Sequence, residues 1–319
     1  MNIGNNILIT GGLGFIGSYF AEKMSLQKKI IILDDFSAYS KEAYECLKDK
    51  KNIHIFEEDI LNCDYSKYLS GIDTIFHFAA NSNISMGVDD PEVDFRITTI
   101  GTHRLLRSMV DHNVKNLIFP SGSGVYGDAN DALLSEDYSP LEPVSFYGAS
   151  KLSAESFISA FCHMNGLFAR VFRFANVVGL RQTHGVAYDL VKKLRKDKSY
   201  LKVLGDGFQS KSYIHVEDIY NGIMIALENT NDLDRFDVFN IATDENITVR
   251  EIVSEILYAL DLTGETKVIY GDQKGGWVGD VPILRMNTNK IRTLGWQNKH
   301  NSKQALSLAI NYLINHDYS

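Results

Sequence analysis

A cluster of glycines near the N-terminus constrains the fold of this chain more than any other feature of its sequence. The apolar run Ile7-Leu8-Ile9-Thr10 ends in Gly11, Gly14 and Gly17, spaced G-x-x-G-x-x-G, and a helical apolar pattern follows. This arrangement predicts a buried strand, a tight turn and a helix whose first N–H groups are free to bind a pyrophosphate. A plain tight turn between a strand and a helix is the simpler alternative.

The end of the next predicted strand indicates which cofactor the glycine motif would bind. Residues 30–33 read Ile-Ile-Ile-Leu, and Asp34 and Asp35 end this run, with Asp34 lying 17 residues after Gly17. A carboxylate at this spacing accepts a hydrogen bond from the 2′-hydroxyl of an adenosine ribose, and its charge repels a 2′-phosphate. The sequence therefore predicts NAD(H) rather than NADP(H).

Bulk properties exclude several classes of protein. The chain has 319 residues, is 45% hydrophobic and can bury one large core or two closely packed ones. Its formal net charge of −8 argues against nucleic acid or an anionic membrane as the main partner. The three cysteines are widely spaced and have no metal-binding pattern, so we predict no metal and a reducing compartment. Because no signal peptide or membrane span is evident, we expect a soluble cytoplasmic protein.

Strand-like and helix-like segments alternate through the first two thirds of the chain. The predicted strands are 6–10, 30–34, 53–56, 74–78, 117–121 and 168–174. The predicted helices are 14–25, 40–48, 92–112 and 147–165. Such alternation is typical of an α/β fold with a Rossmann-type, doubly wound parallel sheet.

The pattern changes after about residue 175, where turns become denser. Amphipathic helices are predicted at 248–260 and 303–314, and short strands near 202–204 and 267–270. We therefore predict an NAD-binding domain over residues 1–175, with a return segment near 213–245. A smaller mixed α/β domain would comprise residues 176–212 and 246–319, and a ligand cleft would lie at the carboxyl ends of the parallel strands.

A tyrosine and a lysine one helical turn apart are candidate catalytic residues. Tyr147 and Lys151 have i, i+4 spacing, so both side chains can reach the same site. A free phenol has a pKa of about 10, but a nearby ammonium and an oxidised nicotinamide would favour the phenolate. Such a phenolate could remove a proton from a sugar hydroxyl while hydride leaves to NAD. Taken alone, the pair is as consistent with ordinary helix packing.

Several motifs together resemble one enzyme family over nearly the whole chain. The chain resembles the extended short-chain dehydrogenases/reductases, in the NAD-dependent nucleotide-sugar epimerase/dehydratase group, and its motifs are most similar to those of UDP-glucose 4-epimerases. Beyond the segments quoted above, the similar motifs are Asp59-Ile60, His77-Phe78-Ala79-Ala80, Val125-Tyr126-Gly127, 173–179, 212–218 and 276–281.

This resemblance implies a set of site residues. It implies a Rossmann domain, a smaller domain that binds a nucleoside diphosphate sugar, and a homodimer formed through a helix bundle. Implied cofactor contacts are Gly11, Gly14, Phe15, Ile16, Gly17, Asp34, Asp35, Asp59, Ile60, Phe78, Ala79, Ala80, Ser121, Tyr147 and Lys151. Implied substrate contacts are Ser123, Asn176, Lys211 and Asp280, and the implied catalytic residues are Tyr147, Lys151 and Ser123.

Simpler structural roles compete with these assignments. Asn176 could cap a loop, Lys211 could be a solvated surface lysine, and Asp280 could stabilise a turn. Lys211 stands where the group usually has an arginine, and it lacks the bidentate fork of that residue. His77, inside an apolar strand, is expected to be a hydrogen-bonded core histidine or a histidine at the edge of the cofactor, rather than a base.

One departure from the family pattern affects the catalytic site. Members of the group usually carry Ser or Thr four residues before the tyrosine of Val-Tyr-Gly, and here that position is Gly122. A neighbouring hydroxyl, Ser123 first and Ser121 second, would have to replace it. Alternatively, both serines only cap the end of the strand.

The same segment favours one reaction over others. A 4,6-dehydratase of the group has an Asp-Glu pair where Ser123 and Gly124 stand here, and a decarboxylase has Glu at the place of Gly124. We therefore predict 4-epimerisation of a UDP-hexose, and Leu284 suggests room for an N-acetyl group. The alternatives are another nucleotide-sugar epimerase, a reductase or a dehydratase of the same family, and a non-catalytic NAD-binding sensor or scaffold.

Overall fold

Strands and helices alternate along the chain in the computed structural model, which describes residues 1–81, 86–230 and 234–316. The strands are β1 Asn6–Thr10, β2 Lys29–Asp34, β3 Ile53–Glu57, β4 Thr74–His77, β5 Asn116–Gly122, β6 Leu133–Leu134, β7 Phe168–Phe174, β8 Asn176–Val178, β9 Tyr200–Val203, β10 Ser210–Lys211, β11 Tyr213–His215, β12 Phe236–Ile241, β13 Ile247–Thr248, β14 Lys267–Tyr270 and β15 Arg285–Met286. The helices are α1 Phe15–Met24, α2 Lys41–Leu47, α3 Met86–Asp89, α4 Pro91–Asp94, α5 Gly101–Asp111, α6 Phe146–Asn165, α7 Val186–Lys196, α8 Val216–Asn229, α9 Val249–Ala259, α10 Asn289–Thr293 and α11 Ser302–Asn315. Short 3₁₀ turns span Tyr65–Lys67 and Ser123–Tyr126.

Seven parallel strands form the central sheet in the order β12-β7-β5-β4-β1-β2-β3. The six strands predicted from sequence all lie in this sheet, with bounds within one residue of the prediction at each end. Their apolar runs face helices on both sides, as buried parallel strands require. The prediction of a Rossmann-type α/β fold is confirmed, and β12 is the strand of this sheet that the sequence analysis did not single out.

The strand order places a crevice beside β1. The chain moves from β1 to β2 on one side and later to β4 on the other, so Thr10 pairs with both Leu33 and His77. Ligands of doubly wound sheets bind where the order reverses, outside the carboxyl ends of the strands. The ends of β1, β2, β4, β5 and β7 therefore form the floor of the candidate site.

A second apolar core lies in what we call the C-terminal lobe, made of α7, β9, α9, β14 and α11. Leu194, Leu201, Ile256 and Ile310 are among its buried residues, and β9 pairs in parallel with β14. The predicted helices 248–260 and 303–314 correspond to α9 and α11. The chain returns from this region to the central sheet at β12, and the predicted domain boundaries remain a prediction.

The helix predicted over 92–112 corresponds to a continuous helical stretch from Pro91 to Asp111, and this stretch has three segments of different winding. These are α4, a π-helical turn over Phe95–Ile100, and α5. The π-helical turn contains Ile97-Thr98-Thr99-Ile100, and β-branched residues are strained in a regular helix. Thr99 Oγ1 donates to the Ser150 carbonyl of α6 at 3.4 Å, so tertiary contact also holds the irregular turn. Among the helices of the described ranges, none has the length and apolarity needed to cross a membrane.

Candidate active site

The glycine-rich turn after β1 is built to approach an anion closely. Gly11 has φ +66°, and its N–H donates to the Leu33 carbonyl at 2.8 Å. A Cβ on Gly17 would lie 2.2 Å from the Gly11 carbonyl oxygen, so helix and turn pack in direct backbone contact. Helix α1 starts after Gly14 with no side-chain cap and no acidic residue in its first turn. These features leave its N-terminal N–H groups to a ligand and fit the pyrophosphate of a dinucleotide.

Asp34 braces this turn from the neighbouring strand. Its Oδ2 accepts from the Leu13 N–H at 2.9 Å, and its Oδ1 accepts from the Phe36 N–H at 3.0 Å. Burial raises the pKa of Asp34. The two N–H donors lower this pKa, and the negative charge of the neighbouring Asp35 raises it. Asp35 is exposed and accepts from the Ser37 N–H at 3.0 Å. Asp34 therefore holds the cofactor turn, and its contact with a ribose remains a prediction.

A cavity of about 1910 Å³ runs along the carboxyl ends of the sheet. Every site residue predicted from the sequence lines this cavity, both in the cofactor set and in the substrate set. The glycine turn, Asp34 and Asp59 lie on the side of β1 to β3, whereas Asn176, Lys211 and Asp280 come from segments after β7. The geometry thus brings the predicted residues together, and their individual binding roles remain predictions.

Tyr147 and Lys151 lie in the first turns of α6. The Ser145 hydroxyl caps this helix by accepting from the Gly148 N–H at 3.1 Å. Lys151 is 3% exposed, and its Nζ donates to the Pro120 carbonyl at the end of β5, at 2.8 Å. The same Nζ lies 5.8 Å from the centre of the Tyr147 ring. The helix cap and the bond to the strand therefore fix both side chains beside the sheet.

Burial shifts the pKa values of the two catalytic candidates in opposite directions. It lowers the pKa of Lys151 to about 8, although Glu155 and Asp94 oppose this change. Burial, helped by the charge of Asp94, raises the pKa of Tyr147 to about 12. Burial and Asp94 thus oppose the phenolate, and the predicted help from the Lys151 ammonium and an oxidised nicotinamide remains a prediction.

At the end of β5, the residue next to the Tyr147 hydroxyl is a glycine, Gly122. A Cβ on Gly122 would lie 3.5 Å from Tyr147 Oη. Ser121 Oγ is buried without a hydrogen-bond partner, and Ser123 opens the 3₁₀ turn with its hydroxyl unbonded within the described residues. Both serines line the cavity, so the structure keeps both as candidates for the missing hydroxyl.

Lys211 and Asp280 form an ion pair on the substrate side of the cavity. Asp280 also accepts from the Gly276 N–H at 2.9 Å through its other oxygen, so part of its role is to hold a turn. Asn176 Nδ2 makes a long contact of 3.4 Å with the Ser212 carbonyl. Lys211 is thus held at the cavity by Asp280 rather than extended into solvent.

Sequence reasoning missed polar residues that line the cavity with unsatisfied atoms. Gln182 Oε1, Gln209 Oε1 and Ser212 Oγ are buried without partners and belong to cavity-lining residues. Gln182 and Gln209 donate through their Nε2 atoms to the carbonyls of His184 at 2.7 Å and Leu204 at 3.3 Å, which leaves their acceptors free. Their signal in the sequence was only their proximity to the quoted motifs. Buried polar atoms normally have partners, and within the described residues these three atoms lack them.

His77 has the structural role expected of it. It is fully buried, and its ring nitrogens contact Thr10 Oγ1 at 2.6 Å and Thr102 Oγ1 at 3.0 Å. Burial lowers its pKa to about 3, so it is neutral. It ties β1 and β4 to α5 beneath the glycine turn.

Outside the cavity, one cluster has the composition of a metal site. His215, Glu217 and His300 offer atoms that lie within 4.8 Å of one another. Each already has a partner: His215 Nδ1 accepts from the Glu217 N–H at 3.3 Å, Glu217 pairs with Lys299 at 3.1 Å, and His300 contacts Asp218 at 3.2 Å. These contacts cap α8 and fasten it to the loop before α11.

Comparison with known proteins identifies the family to which this chain belongs. A profile of the NAD dependent epimerase/dehydratase family matches residues 7–242. An uncharacterized UDP-glucose epimerase of Bacillus subtilis, YtcB, is 30% identical over 277 residues, which cover 84% of this chain and 85% of that protein.

Two solved structures are similar over nearly the whole chain. The UDP-N-acetylglucosamine 4-epimerase of Methanobrevibacter ruminantium, in complex with UDP-N-acetylmuramic acid, has a TM-score of 0.85 and 25% identity, covering 98% of this chain and 99% of that one. The dTDP-glucose 4,6-dehydratase DesIV of Streptomyces venezuelae, with NAD bound, has a TM-score of 0.86 and 26% identity, covering 97% of both chains. With its cavity, glycine turn and Tyr147–Lys151 pair, this chain belongs to the NAD-dependent epimerase/dehydratase family, and NAD is its cofactor.

Proposed function

We propose that this protein is a 4-epimerase of a UDP-hexose. The observation that carries the proposal is the end of β5, where Gly122, Ser123 and Gly124 face Tyr147 without a carboxylate. Elimination of water from the sugar needs an acid and a base in addition to the tyrosine, whereas reversible oxidation at one carbon does not. The buried carboxylate that acts on Tyr147, Asp94, is not among the residues that line the cavity.

Two side chains perform the proton chemistry. Bound NAD supplies a hydride acceptor that becomes a hydride donor within the same cycle. Tyr147 Oη takes the proton of the C4 hydroxyl as the C4–H bond breaks, and it returns that proton after the keto sugar has turned over in the cavity. Lys151, held by the Pro120 carbonyl at 2.8 Å, keeps a positive charge beside the phenolate at pH values below its pKa of about 8. The net reaction is inversion at C4, without consumption of NAD.

The nucleotide would bind on the side of the C-terminal lobe. Lys211 provides a positive charge for a diphosphate, and its pairing with Asp280 holds it in place when no ligand is bound. Asn176, Ser212 and Gln209 add donors and an acceptor that the described residues leave unsatisfied or weakly bonded. A UDP group would supply the partners that these atoms lack.

The first experiment is proton NMR of the purified protein incubated with UDP-glucose, UDP-galactose and their N-acetyl forms, without added reductant. Interconversion of a C4 pair with NAD retained on the protein would support the proposal and identify the sugar. Loss of water from the sugar, with a 4-keto-6-deoxy product, would instead indicate the dehydratase activity named for the Streptomyces relative. Net consumption of reduced cofactor would indicate a reductase, and bound NAD without any turnover would favour the sensor.

The two serines at the end of β5 can be separated by mutation. We expect Ser123→Ala to lower turnover about 100-fold if its hydroxyl belongs to the proton-transfer network. Ser121→Ala is the matched control, because its hydroxyl is also unpartnered and lines the same cavity. If only Ser121→Ala lowers turnover, the assignment of Ser123 is wrong.

We also infer a homodimer that forms through the outer faces of α5 and α6. Large apolar side chains are exposed on α6 and on the π-helical turn that leads into α5: Phe95 is 54% exposed, Ile100 37% and Phe157 41%. Exposed apolar groups on adjacent elements are typical of a protein interface. Phe157→Glu should convert the dimer to a monomer in light scattering, and a monomeric wild-type protein would contradict the inference.

A further inference from the structure

The protein itself leaves room for a Cβ at the position of Gly122. Its backbone is extended, with φ −154° and ψ 161°. A Cβ built on it would meet two atoms of the described residues within 4 Å, Tyr147 Oη at 3.5 Å and Tyr147 Cε1 at 3.6 Å. Both distances are ordinary van der Waals contacts.

Three other glycines at or near the cavity differ from Gly122 in this respect, whereas a Cβ on Gly124 would also make only ordinary contacts, the nearest with Gly148 Cα at 3.5 Å. Gly11 combines φ +66° with a Cβ position only 2.6 Å from the Ala79 nitrogen. Gly17 and Gly148 would place a Cβ 2.2 Å and 2.4 Å from backbone oxygens. The fold requires these three glycines, and it does not require Gly122.

A glycine in a strand needs a reason, because it loses more backbone freedom on folding than any other residue and packs against nothing. With positive φ and backbone contact excluded, the remaining reason is the close approach of a ligand to the strand. The open side of Gly122 belongs to the same cavity as Tyr147. Its missing side chain therefore leaves space for a ligand beside the catalytic hydroxyl.

We propose that Gly122 is a specificity-determining residue, whose missing side chain admits a substituent on the carbon next to the reacting carbon of the sugar. This inference rests on the proposed function, since the reacting oxygen must lie within hydrogen-bond distance of Tyr147 Oη. That oxygen must itself be a free hydroxyl in order to be oxidised. The group that fills the space beside Gly122 is therefore carried by a flanking carbon, and the substrate class is a nucleotide sugar whose group on C3 or C5 is larger than the hydroxyl or hydroxymethyl group that UDP-glucose carries there.

Two matched pairs of ligands test this inference by binding to the NAD-loaded protein. UDP-N-acetylglucosamine and UDP-N-acetylmuramic acid differ at the oxygen on C3, and UDP-glucose and UDP-glucuronic acid differ at C6. We expect the wild type to prefer the larger member of one pair. Gly122→Ala should weaken the binding of that larger member at least tenfold, while the dissociation constants of the smaller member, of UDP and of NAD change less than threefold.

Gly124→Ala is the matched control, because its new methyl group would contact Gly148 Cα at 3.5 Å and Tyr147 Cδ1 at 3.9 Å rather than the hydroxyl. It should change the binding of both members of a pair by the same factor. The inference is overturned if Gly122→Ala weakens both members equally, weakens NAD instead, or leaves the larger member unaffected. Melting temperatures of all variants check that the strand end is intact.

Gly122→Ser gives a second, opposite test. If the catalytic site lacks a hydroxyl at this position, the Oγ added by the serine should raise turnover with every sugar, and that result would also overturn the inference. If the space beside Gly122 is filled by a group of the substrate, turnover of the larger sugar falls at least tenfold. A wild type that binds these sugars without inverting C4 would refute the epimerase proposal, while the ratio of dissociation constants would still decide the role of Gly122.

Discussion

The two ends of the cavity are built differently. At the cofactor end, both oxygens of Asp34 accept backbone N–H groups, and the glycine turn is closed by backbone contacts. At the substrate end, Gln209 Oε1 and Ser212 Oγ are buried without partners, and Lys211 is neutralised by Asp280 of the same protein.

This difference indicates which ligand each end expects. A preformed site loses little freedom on binding and suits a cofactor that stays bound. A site whose polar groups are unsatisfied or paired with each other gains partners only when a ligand arrives. We expect substitutions at the cofactor end to change folding and NAD affinity together, and those at the substrate end to change ligand affinity alone.

Tyr147 lies where the two ends meet, and its removal should have the largest effect. We expect Tyr147→Phe to lower turnover about 10³-fold or more, because the proton acceptor is lost, as measured by NMR of the C4 pair. NAD and UDP should both bind to this variant as they bind to the wild type. A variant that retains a tenth of the activity would remove Tyr147 from the mechanism.

Lys151 tests whether the cofactor end is complete without its ligand. Burial lowers its pKa in the folded protein from 10.5 to about 8, so the unfolded chain binds more protons between these values. The stability of the wild type should therefore rise as the pH increases from about 8 to 10.5.

Lys151→Met removes this buried charge and should stabilise the apoprotein below pH 8 by about 3 kcal/mol, at roughly 1.4 kcal/mol for each unit of pKa. The advantage should shrink toward pH 10.5 in denaturant titrations. Lys198→Met, at an exposed lysine, is the control and should show no such trend. A constant difference at all pH values would mean that the pKa of Lys151 is the same in the folded and the unfolded protein, so that burial does not lower it.

Asp34 tests the preformed cofactor end directly. Asp34→Asn leaves one oxygen for two backbone donors, and losing a charge-assisted bond costs roughly 2 kcal/mol. We expect the dissociation constant for NAD to rise about 30-fold in calorimetry, together with a lower melting temperature. Asp35→Asn, at an exposed carboxylate that bonds Ser37, is the milder control. If Asp34→Asn weakens UDP as much as NAD, the two ends are not independent.

Lys211 tests the substrate end and should have the smallest effect. We expect Lys211→Met to weaken UDP about tenfold, because it removes a positive charge from the predicted diphosphate site, and to leave NAD affinity and melting temperature unchanged. Lys202→Met, at an exposed lysine of β9, should leave UDP binding as it is. A large loss of stability in Lys211→Met would show that the Lys211–Asp280 pair is structural.

Local sequence patterns were sufficient to predict six of the seven strands of the central sheet, and the site residues that the family resemblance implied all line the cavity. Strands such as Ile30–Leu33 are continuous apolar runs between turn residues, and parallel order follows from their alternation with helices. The site residues were predictable because the carboxyl ends of such strands converge, which brings Gly11, Asp34 and Gly122 to one edge.

Features that depend on tertiary contact could not be read in this way. The π-helical turn at 95–100 is held by a bond from Thr99 to α6, a partner about 50 positions away. The rise in the pKa of Tyr147 depends on burial and on Asp94, which no spacing indicates. Gln182 and Gln209 lie near the quoted motifs, but only the folded chain shows that their acceptor oxygens are buried and unpaired.

The return of the chain to the sheet at β12 has a consequence for truncation. Without β12, the backbone of β7 would become a free edge lined by Phe168, Val171 and Phe172, and exposed apolar edges recruit strands from other molecules. The guanidinium of Arg170 would also lose the Asp234 carbonyl, which it contacts at 2.8 Å. A fragment that ends at residue 175 should therefore aggregate when it is expressed alone. A fusion protein that uses the NAD-binding part of this chain must also include the segment around 236–241.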